Sequence, residues 1–182
     1  MHHLTRLLLP AATVATAALA LSGVAGAAKI AGTSGPDNIV GTEERDRISA
    51  KEGDDTVDAR GARDRVRAGD GNDRVEGGAG RDLLGGGRGD DTLSGGDGRD
   101  VIFARLGADT VDGGAGPDVL FARARGDADA PGVDTVRGGS GRDFVNVRDG
   151  EADQVECGTE RDRVVADRED VVSADCERVR RR

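Results

Sequence analysis

The sequence predicts an all-β fold, a solenoid of short stacked strands, because three observations agree. Aspartate recurs every nine residues, ten times in succession, from Asp37 to Asp118. An aliphatic residue stands two positions after each of these aspartates, and glycine stands two positions before eight of the ten. The chain has 30 Gly but only three Phe, and no Trp or Tyr, so few large side chains exist to fill a thick core. A thin coil of repeats suits this composition better than a two-layer sandwich.

The periodic residues divide into a turn position and a core position. Glycine allows positive φ values and sharp turns, and aspartate is itself common in turns. The segment from each aspartate to the residue after its aliphatic neighbour is long enough only for a very short strand. One inward aliphatic per repeat can line a narrow tube in which successive coils stack. The predicted core residues are Ile39, Ile48, Val57, Val66, Val75, Leu84, Leu93, Ile102, Val111 and Leu120.

Residues 1–27 are typical of a secretory signal peptide. Arg6 lies in a short polar start, an apolar run extends from Leu7 to Val24, and Ala25-Gly26-Ala27 supplies the small residues of a cleavage site. The alternative is an uncleaved membrane anchor, because the apolar run is nearly long enough to span a bilayer. Cleavage predicts a mature chain that begins at Ala28, has no stable membrane span and is extracellular, either free or held at the cell surface.

Composition excludes several function classes. Both histidines, His2 and His3, lie in the predicted signal, so the mature chain lacks the residue used for imidazole acid–base catalysis and for His-based zinc sites. A net charge of −9 argues against nucleic-acid binding. Acidic residues are mainly Asp, 26 against nine Glu, which favours turns and oxygen-rich metal sites over helices.

The most regular copies of the repeat share one nine-residue pattern. They run from Ala68 to Phe103 as AGDGNDRVE, GGAGRDLLG, GGRGDDTLS and GGDGRDVIF, and two more begin at Gly113 (GGAGPDVLF) and Gly138 (GGSGRDFVN). These blocks resemble the G-G-x-G-x-D-x-U-x nonapeptide of the repeats-in-toxin (RTX) family, where U is a large aliphatic. The resemblance covers roughly residues 32–146 well. It implies a right-handed parallel β-roll with two nonapeptides per coil, over residues 28–146.

Two nonapeptides per coil place residues 18 apart directly above one another and divide the aspartates into two ladders. Carboxylates held about 4.8 Å apart, the strand spacing, repel by roughly 1 kcal/mol per pair in water. The stacked aspartates of a metal-free coil therefore oppose its folding. The predicted ladders are Asp37, Asp55, Asp73, Asp91 and Asp109, and Asp46, Asp64, Asp82, Asp100 and Asp118.

A hard divalent cation between successive coils would neutralise paired aspartates. An all-oxygen ligand set suits Ca²⁺ better than Mg²⁺, and the repeats lack the Cys or His that Zn²⁺ prefers. In RTX repeats, Ca²⁺ lies between adjacent loops, bound by the sixth-position Asp and by glycine carbonyls. The resemblance therefore implies the metal ligands Asp55, Asp73, Asp91, Asp109, Asp64, Asp82, Asp100, Asp118 and Asp143. It also implies the carbonyl donors Gly77, Gly78, Gly80, Gly86, Gly87, Gly89, Gly95, Gly96, Gly98, Gly113, Gly114 and Gly116.

The alternative is a metal-free solenoid in which the aspartates only cap turns. It is strongest where the leading glycine pair is missing, from Gly41 to Arg67 and from Ala104 to Asp112. If the ion binds only the rolled state, binding energy becomes folding energy. We therefore expect a chain that is largely disordered in chelator and β-structured in millimolar Ca²⁺.

The repeat changes after Leu120. Residues 122–137 separate it from the next regular copy, so either one repeat carries a seven-residue loop, at about 122–133, or a shortened repeat intervenes at Asp127. Residues 147–182 are degenerate repeats and fit a C-terminal cap. Cys157 and Cys176 lie 19 residues apart, close to one coil, and an exported chain with two cysteines favours a disulfide that closes this cap.

These features predict a secreted calcium-binding structural or interaction protein whose protein or glycan partner the sequence does not name. A surface adhesin or ligand-binding solenoid is an alternative, although aromatic platforms are nearly absent. An enzyme is the least favoured class. The sequence has no zinc-protease helix and no Gly-x-Ser-x-Gly turn, and the periodicity of its carboxylates is explained by the ladders. We expect no catalytic activity.

Overall fold

A computed structural model describes residues 17–20, 26–123 and 132–181, with backbone only for 17–20. It confirms the predicted all-β class: the chain forms a parallel solenoid of about eight coils, with about 18 residues per coil and two sheets facing each other across the core. Every described strand pairing is parallel.

Successive strands alternate between the two sheets, so each coil contributes to both. The first sheet contains β1 (Ala17–Ala20), β3 (Asp37–Val40), β5 (Thr56–Asp58), β6 (Gly61–Ala62), β8 (Arg74–Gly80), β10 (Thr92–Gly98), β12 (Thr110–Ala115), β14 (Thr135–Ser140), β16 (Gln154–Thr159) and β18 (Val171–Val172). The second contains β2 (Lys29–Ala31), β4 (Arg47–Glu52), β7 (Arg65–Asp70), β9 (Leu83–Arg88), β11 (Val101–Leu106), β13 (Val119–Phe121), β15 (Phe144–Asn146), β17 (Arg163–Ala166) and β19 (Arg178–Arg181).

The core is a single narrow column. All ten predicted aliphatics point inward and are at most 3% exposed, as the repeat predicts. A second inward position follows two residues later and holds only small or medium-sized residues, such as Ala50, Ala104 and Val147, or glycine. Because the column is only about one side chain thick on each side, each coil depends on its two neighbours for burial.

The register shows how the chain accommodates the break in the repeat. Thr110 pairs with Thr135 and Val119 with Phe144, so both steps are 25 residues rather than 18. One coil therefore contains seven extra residues. Most of the predicted loop at 122–133, including Asp127, falls in residues 124–131, outside the described residues.

The coil imposes a positive φ at fixed places even where the sequence lacks glycine. Lys51 (φ 93°) pairs with Gly69, and Ala62 (φ 68°) pairs with Gly80. Side chains in this region cost on the order of 1 kcal/mol or more. Lys51 and Ala62 adopt the same backbone conformation as the glycines stacked on them, for which this conformation has a lower free-energy cost.

The C-terminal repeats continue the coil in less regular form. β16 pairs with β18 and β17 with β19, and a disulfide joins Cys157 to Cys176 with a Cα–Cα distance of 5.1 Å. Both cysteines belong to the core column, so the predicted bridge lies inside the last coils.

Most of the predicted signal peptide lies outside the described residues. Its strand β1 pairs in parallel with β3, so removal of residues 1–27 would leave β3 at the edge of its sheet. Over the described part of the chain, no helix is long and apolar enough to cross a membrane.

Candidate metal centre

The aspartates form two continuous ladders through their Oδ1 atoms. The backbone N–H of Asp37 donates a 2.8 Å hydrogen bond to Oδ1 of Asp55, one coil later, and the same bond recurs along both edges of the solenoid. The first ladder is Asp37, Asp55, Asp73, Asp91, Asp109, Asp134, Asp153 and Asp170. The second is Asp46, Asp64, Asp82, Asp100, Asp118, Asp143 and Asp162.

The other carboxylate oxygen of most ladder aspartates has no hydrogen-bond partner within the described part of the chain. In that part, eleven Oδ2 atoms are buried without a hydrogen bond. A buried charged oxygen without a partner is costly, because it loses its hydration and gains nothing in return. The eleven belong to Asp55, Asp64, Asp73, Asp82, Asp91, Asp100, Asp109, Asp118, Asp143, Asp153 and Asp162.

Burial also raises the pKa values of these carboxyls. Desolvation and, to a smaller extent, the negative charge of Asp100 raise the pKa of Asp82 to about 6, against an opposing backbone hydrogen bond. The same causes raise the pKa of Asp118 to about 7 and that of Asp153 to about 8. The ladders therefore disfavour their own ionised form unless positive charge accompanies it.

The first glycine of a complete repeat borders the free Oδ2. A Cβ placed on Gly77 would lie 2.6 Å from the Gly95 carbonyl oxygen and 2.9 Å from Oδ2 of Asp82. The missing side chain therefore leaves a space bounded by two oxygen atoms from successive coils. The same arrangement recurs at Gly95 with Asp100, and equivalent glycines precede five other ladder aspartates, at Gly32, Gly41, Gly86, Gly113 and Gly138.

The first two ladder aspartates differ, because protein donors satisfy both of their oxygens. The backbone N–H of Thr42 donates to Oδ2 of Asp46 at 2.6 Å, and the Thr42 hydroxyl contacts the same carboxylate. Thr33 makes the equivalent bonds to Asp37. Threonine occupies the second-glycine position in these repeats, so the turn is capped without an ion.

An additional acidic group lies after the loop. Asp134, Asp149 and Asp153 each offer a carboxylate oxygen within 4.8 Å of the others. Asp134 and Asp153 are ladder members, whereas Asp149 comes from the segment between β15 and β16. Among the described residues, this is the place where three acidic side chains can meet at one point.

A family comparison agrees with this geometry. The model of the RTX calcium-binding nonapeptide repeat matches residues 31–66, 49–84, 59–93, 85–120 and 130–151, more than half of the chain.

The chain belongs to this family.

No curated protein matches the chain at a significant level. The RTX repeat family binds calcium.

The structure places every predicted RTX ligand aspartate in a ladder, with Oδ2 buried and unpartnered at all nine. Sequence reasoning missed Asp134, Asp153 and Asp162 as candidate ligands. Asp134 had a signal in the sequence: it lies nine residues before Asp143, and an aliphatic residue, Val136, follows it two positions later, as in the other repeats. Asp149 carries no periodic signal and is found only from the folded coil.

The donor set fits a hard cation. Carboxylate and backbone carbonyl oxygens are the ligands that Ca²⁺ prefers, in numbers of six to eight. The described residues include no histidine, and both cysteines are in the disulfide, so soft ligands are absent from the described coils.

Proposed function

We propose that this chain is a secreted, non-catalytic calcium-binding protein in which ions held between successive coils complete the fold. The observation that carries the proposal is the row of buried Oδ2 atoms without hydrogen bonds. Each would gain a ligand interaction from a cation, and bound Ca²⁺ would supply positive charge where the coil otherwise stacks like charges.

The five repeats with an intact leading glycine pair are the best candidates. In these repeats the first glycine leaves the space beside Oδ2 open, and the second adopts positive φ, as at Gly96 (99°) and Gly114 (95°). The corresponding aspartates are Asp82, Asp91, Asp100, Asp118 and Asp143. Where alanine replaces the first glycine, as at Ala50, Ala59 and Ala104, a methyl group takes up this space and we expect weaker binding.

Coupling to folding follows from the energetics. Without an ion, the ladders hold carboxyls whose pKa values are raised by burial, which opposes the coiled state at neutral pH. An ion that binds the coil but not the unfolded chain stabilises it in proportion to the logarithm of its concentration. We therefore propose that the chain folds on reaching the calcium-rich exterior. The disulfide supports an oxidising location.

The absence of a catalytic role is part of the proposal. The carboxylates are periodic, and their spacing is accounted for by the ladders rather than by a paired acid and base. Their Oδ2 atoms are buried within the coil, out of reach of a polymeric substrate.

The test is a calcium titration of the mature chain by calorimetry, with far-UV circular dichroism in chelator and in Ca²⁺. Two variants with the same charge change sharpen it. Asp82→Asn with Asp100→Asn alters two buried ladder residues, whereas Asp97→Asn with Asp112→Asn alters two exposed residues. We expect the first pair to lower the calcium stoichiometry and the second to leave it unchanged. Equal spectra with and without chelator, or equal stoichiometry in both variants, would contradict the proposal.

A further inference from the structure

The outer face of the second sheet carries a gap in a side-chain ladder. Its register aligns Arg67 with Gly85, Gly85 with Phe103, and Phe103 with Phe121. Gly85 has an ordinary backbone conformation, and a Cβ there would meet only the Val66 carbonyl oxygen, at 3.8 Å. The backbone therefore does not require glycine at this position. Because Gly85 has no side chain, the row of stacked side chains on this face is interrupted between Arg67 and Phe103.

This interruption is the centre of a groove of about 930 Å³. Glycines from two neighbouring coils, Gly69, Gly85 and Gly87, form its floor. Phe103 stands on one side and Arg67 on the other, two strand spacings apart, or about 9.6 Å. The groove thus lies between an aromatic ring and a guanidinium group.

The Phe103 ring has one face covered and one face open. It stacks on Phe121 with centroids 4.9 Å apart and an interplanar angle of 8°, and Arg123 in turn lies over Phe121 at 5.5 Å. The opposite side of Phe103 along the ladder is paired with Gly85, which has no side chain to cover the ring. Phe103 is 37% exposed and is one of only three Phe in the whole chain. The gap between Phe103 and Arg67 is wide enough for one more stacked ring.

The groove is positively charged on an acidic protein. Arg67, Arg88, Arg105 and Arg123 line it, against one acid, Asp70, although the chain carries a net charge of −9. Within the described residues, none of these four arginines has a carboxylate within ion-pair distance. Arginine both stacks on planar groups and binds carboxylate or phosphate.

We propose that this groove binds a small ligand that combines a flat aromatic ring with an anionic group. The ring inserts over Gly85 and stacks between Phe103 and Arg67, and the carboxylate or phosphate is held by Arg88 and Arg105. No ladder aspartate lines the groove, although its floor includes Gly87, a predicted carbonyl donor. The groove needs the coil to be folded, and this is why the test below is run at saturating Ca²⁺.

The composition of the chain provides a direct assay, because a protein without Trp or Tyr has almost no fluorescence of its own at indole wavelengths. Indole-3-acetate is titrated with the mature protein at saturating Ca²⁺, and its fluorescence anisotropy is followed. Tryptamine has the same ring with the opposite charge, and cyclohexaneacetate has the same charge without an aromatic ring. We expect saturable binding of indole-3-acetate, at least about tenfold weaker binding of tryptamine, and no competition by cyclohexaneacetate.

Two matched variants locate the site. Gly85→Phe fills the gap with no steric conflict at Cβ, and we expect it to weaken binding at least about tenfold. Ser94→Phe places the same side chain at the same repeat position of the opposite sheet and should leave binding unchanged. Circular dichroism confirms that both fold. If Gly85→Phe fails to fold, Phe103→Leu tests the same stacking contact.

Other outcomes of the assay distinguish an aromatic phosphate from an aromatic carboxylate, or contradict the proposal. Adenosine monophosphate that displaces indole-3-acetate with an inhibition constant no larger than the Kd of indole-3-acetate supports an aromatic phosphate ligand, and weaker displacement supports an aromatic carboxylate. Equal binding of tryptamine, or wild-type binding by Gly85→Phe, overturns the proposal. It is also overturned if a single-stranded oligonucleotide or a polyuronate binds far more tightly than indole-3-acetate and Gly85→Phe weakens that binding, because the groove then belongs to a polymer.

Discussion

The backbone N–H of Asp82 donates a 2.7 Å hydrogen bond to Oδ1 of Asp100, one coil further along the chain, while Oδ2 of Asp100 is buried without a partner. The two oxygens of one carboxylate therefore have different roles. Oδ1 ties consecutive coils together whether or not an ion is present. Oδ2 carries negative charge that no protein donor stabilises. The free energy of folding with and without a bound metal ion therefore differs mainly through this atom.

Asp100→Asn should therefore change stability in opposite directions with and without calcium. Its amide oxygen can still accept the Asp82 N–H, but the buried charge is gone. We expect the variant to retain more β structure than wild type in chelator at pH 7.5, and to be less stable than wild type in millimolar Ca²⁺ by about 1 to 3 kcal/mol. Far-UV circular dichroism in chelator and denaturant unfolding in Ca²⁺ measure the two effects. Asp97→Asn, at an exposed neighbour, is the control and should not show the reversal.

The chelated protein should become more stable as the pH falls from about 8 to about 4. Burial raises the pKa of Asp64 and Asp109 to about 7 and that of Asp143 to about 6, all above the unfolded value of 3.8. The folded state then binds more protons than the unfolded state, so stability is greatest below the unfolded pKa and is lost as the pH rises through the folded values. Far-UV circular dichroism in chelator at pH 4.5 and 7.5 tests this, and more β structure at pH 7.5 than at pH 4.5 would be the wrong sign. At saturating Ca²⁺ we expect the preference for acid pH to disappear.

Ala62→Gly should stabilise the coil by roughly 0.5 to 1 kcal/mol. Ala62 has φ 68°, its side chain is exposed, and its stacked partner is Gly80. Glycine removes the strain of the left-handed conformation, although part of the gain is offset by a more flexible unfolded chain. Urea unfolding in Ca²⁺ measures the change. Ala79→Gly, at an exposed residue of β8 for which no positive φ is found, is the matched control and should be neutral or destabilising.

The N-terminal coils should depend less on calcium than the central ones. The Thr42 backbone N–H and hydroxyl satisfy the Asp46 carboxylate, whereas Oδ2 of Asp100 has no protein donor. Hydrogen exchange in chelator should leave some protection in β3 and β4 when β9 to β12 have lost theirs. Thr42→Val, which removes the hydroxyl at nearly constant volume, should reduce that residual protection. Equal loss of protection along the whole solenoid would contradict the prediction that the N-terminal coils depend less on calcium than the central coils.

Local periodicity carried most of the information about the fold. The inward aliphatics and both ladders up to Asp118 follow from the nine-residue spacing, because each residue is placed by its neighbours one coil away. Asp134 was missed because the seven extra residues shift the phase before it, and Asp149 because no repeat position defines it. The caps at Thr33 and Thr42 depend on side-chain hydrogen bonds that residue type alone does not specify. The groove at Gly85 was not predicted, for a different reason. It depends on which residues stack on one another on the outer face of the sheet, and the repeat motif does not specify the residue type at the outward position that Gly85 occupies.

Removal of the disulfide should loosen the C-terminal coils selectively. Cys157 and Cys176 are 19 residues apart, and closing a loop of this size is worth about 3 kcal/mol in chain-entropy terms. The last coils have only short strands to replace that constraint, since β18 has two residues. We expect Cys157→Ala with Cys176→Ala to speed hydrogen exchange in β16 to β19 while β8 to β12 keep their protection in Ca²⁺. Reduction of the wild type should reproduce the effect, and the same reductant should not change the double variant. An equal loss of protection in β8 to β12 would show instead that the bridge stabilises the whole solenoid.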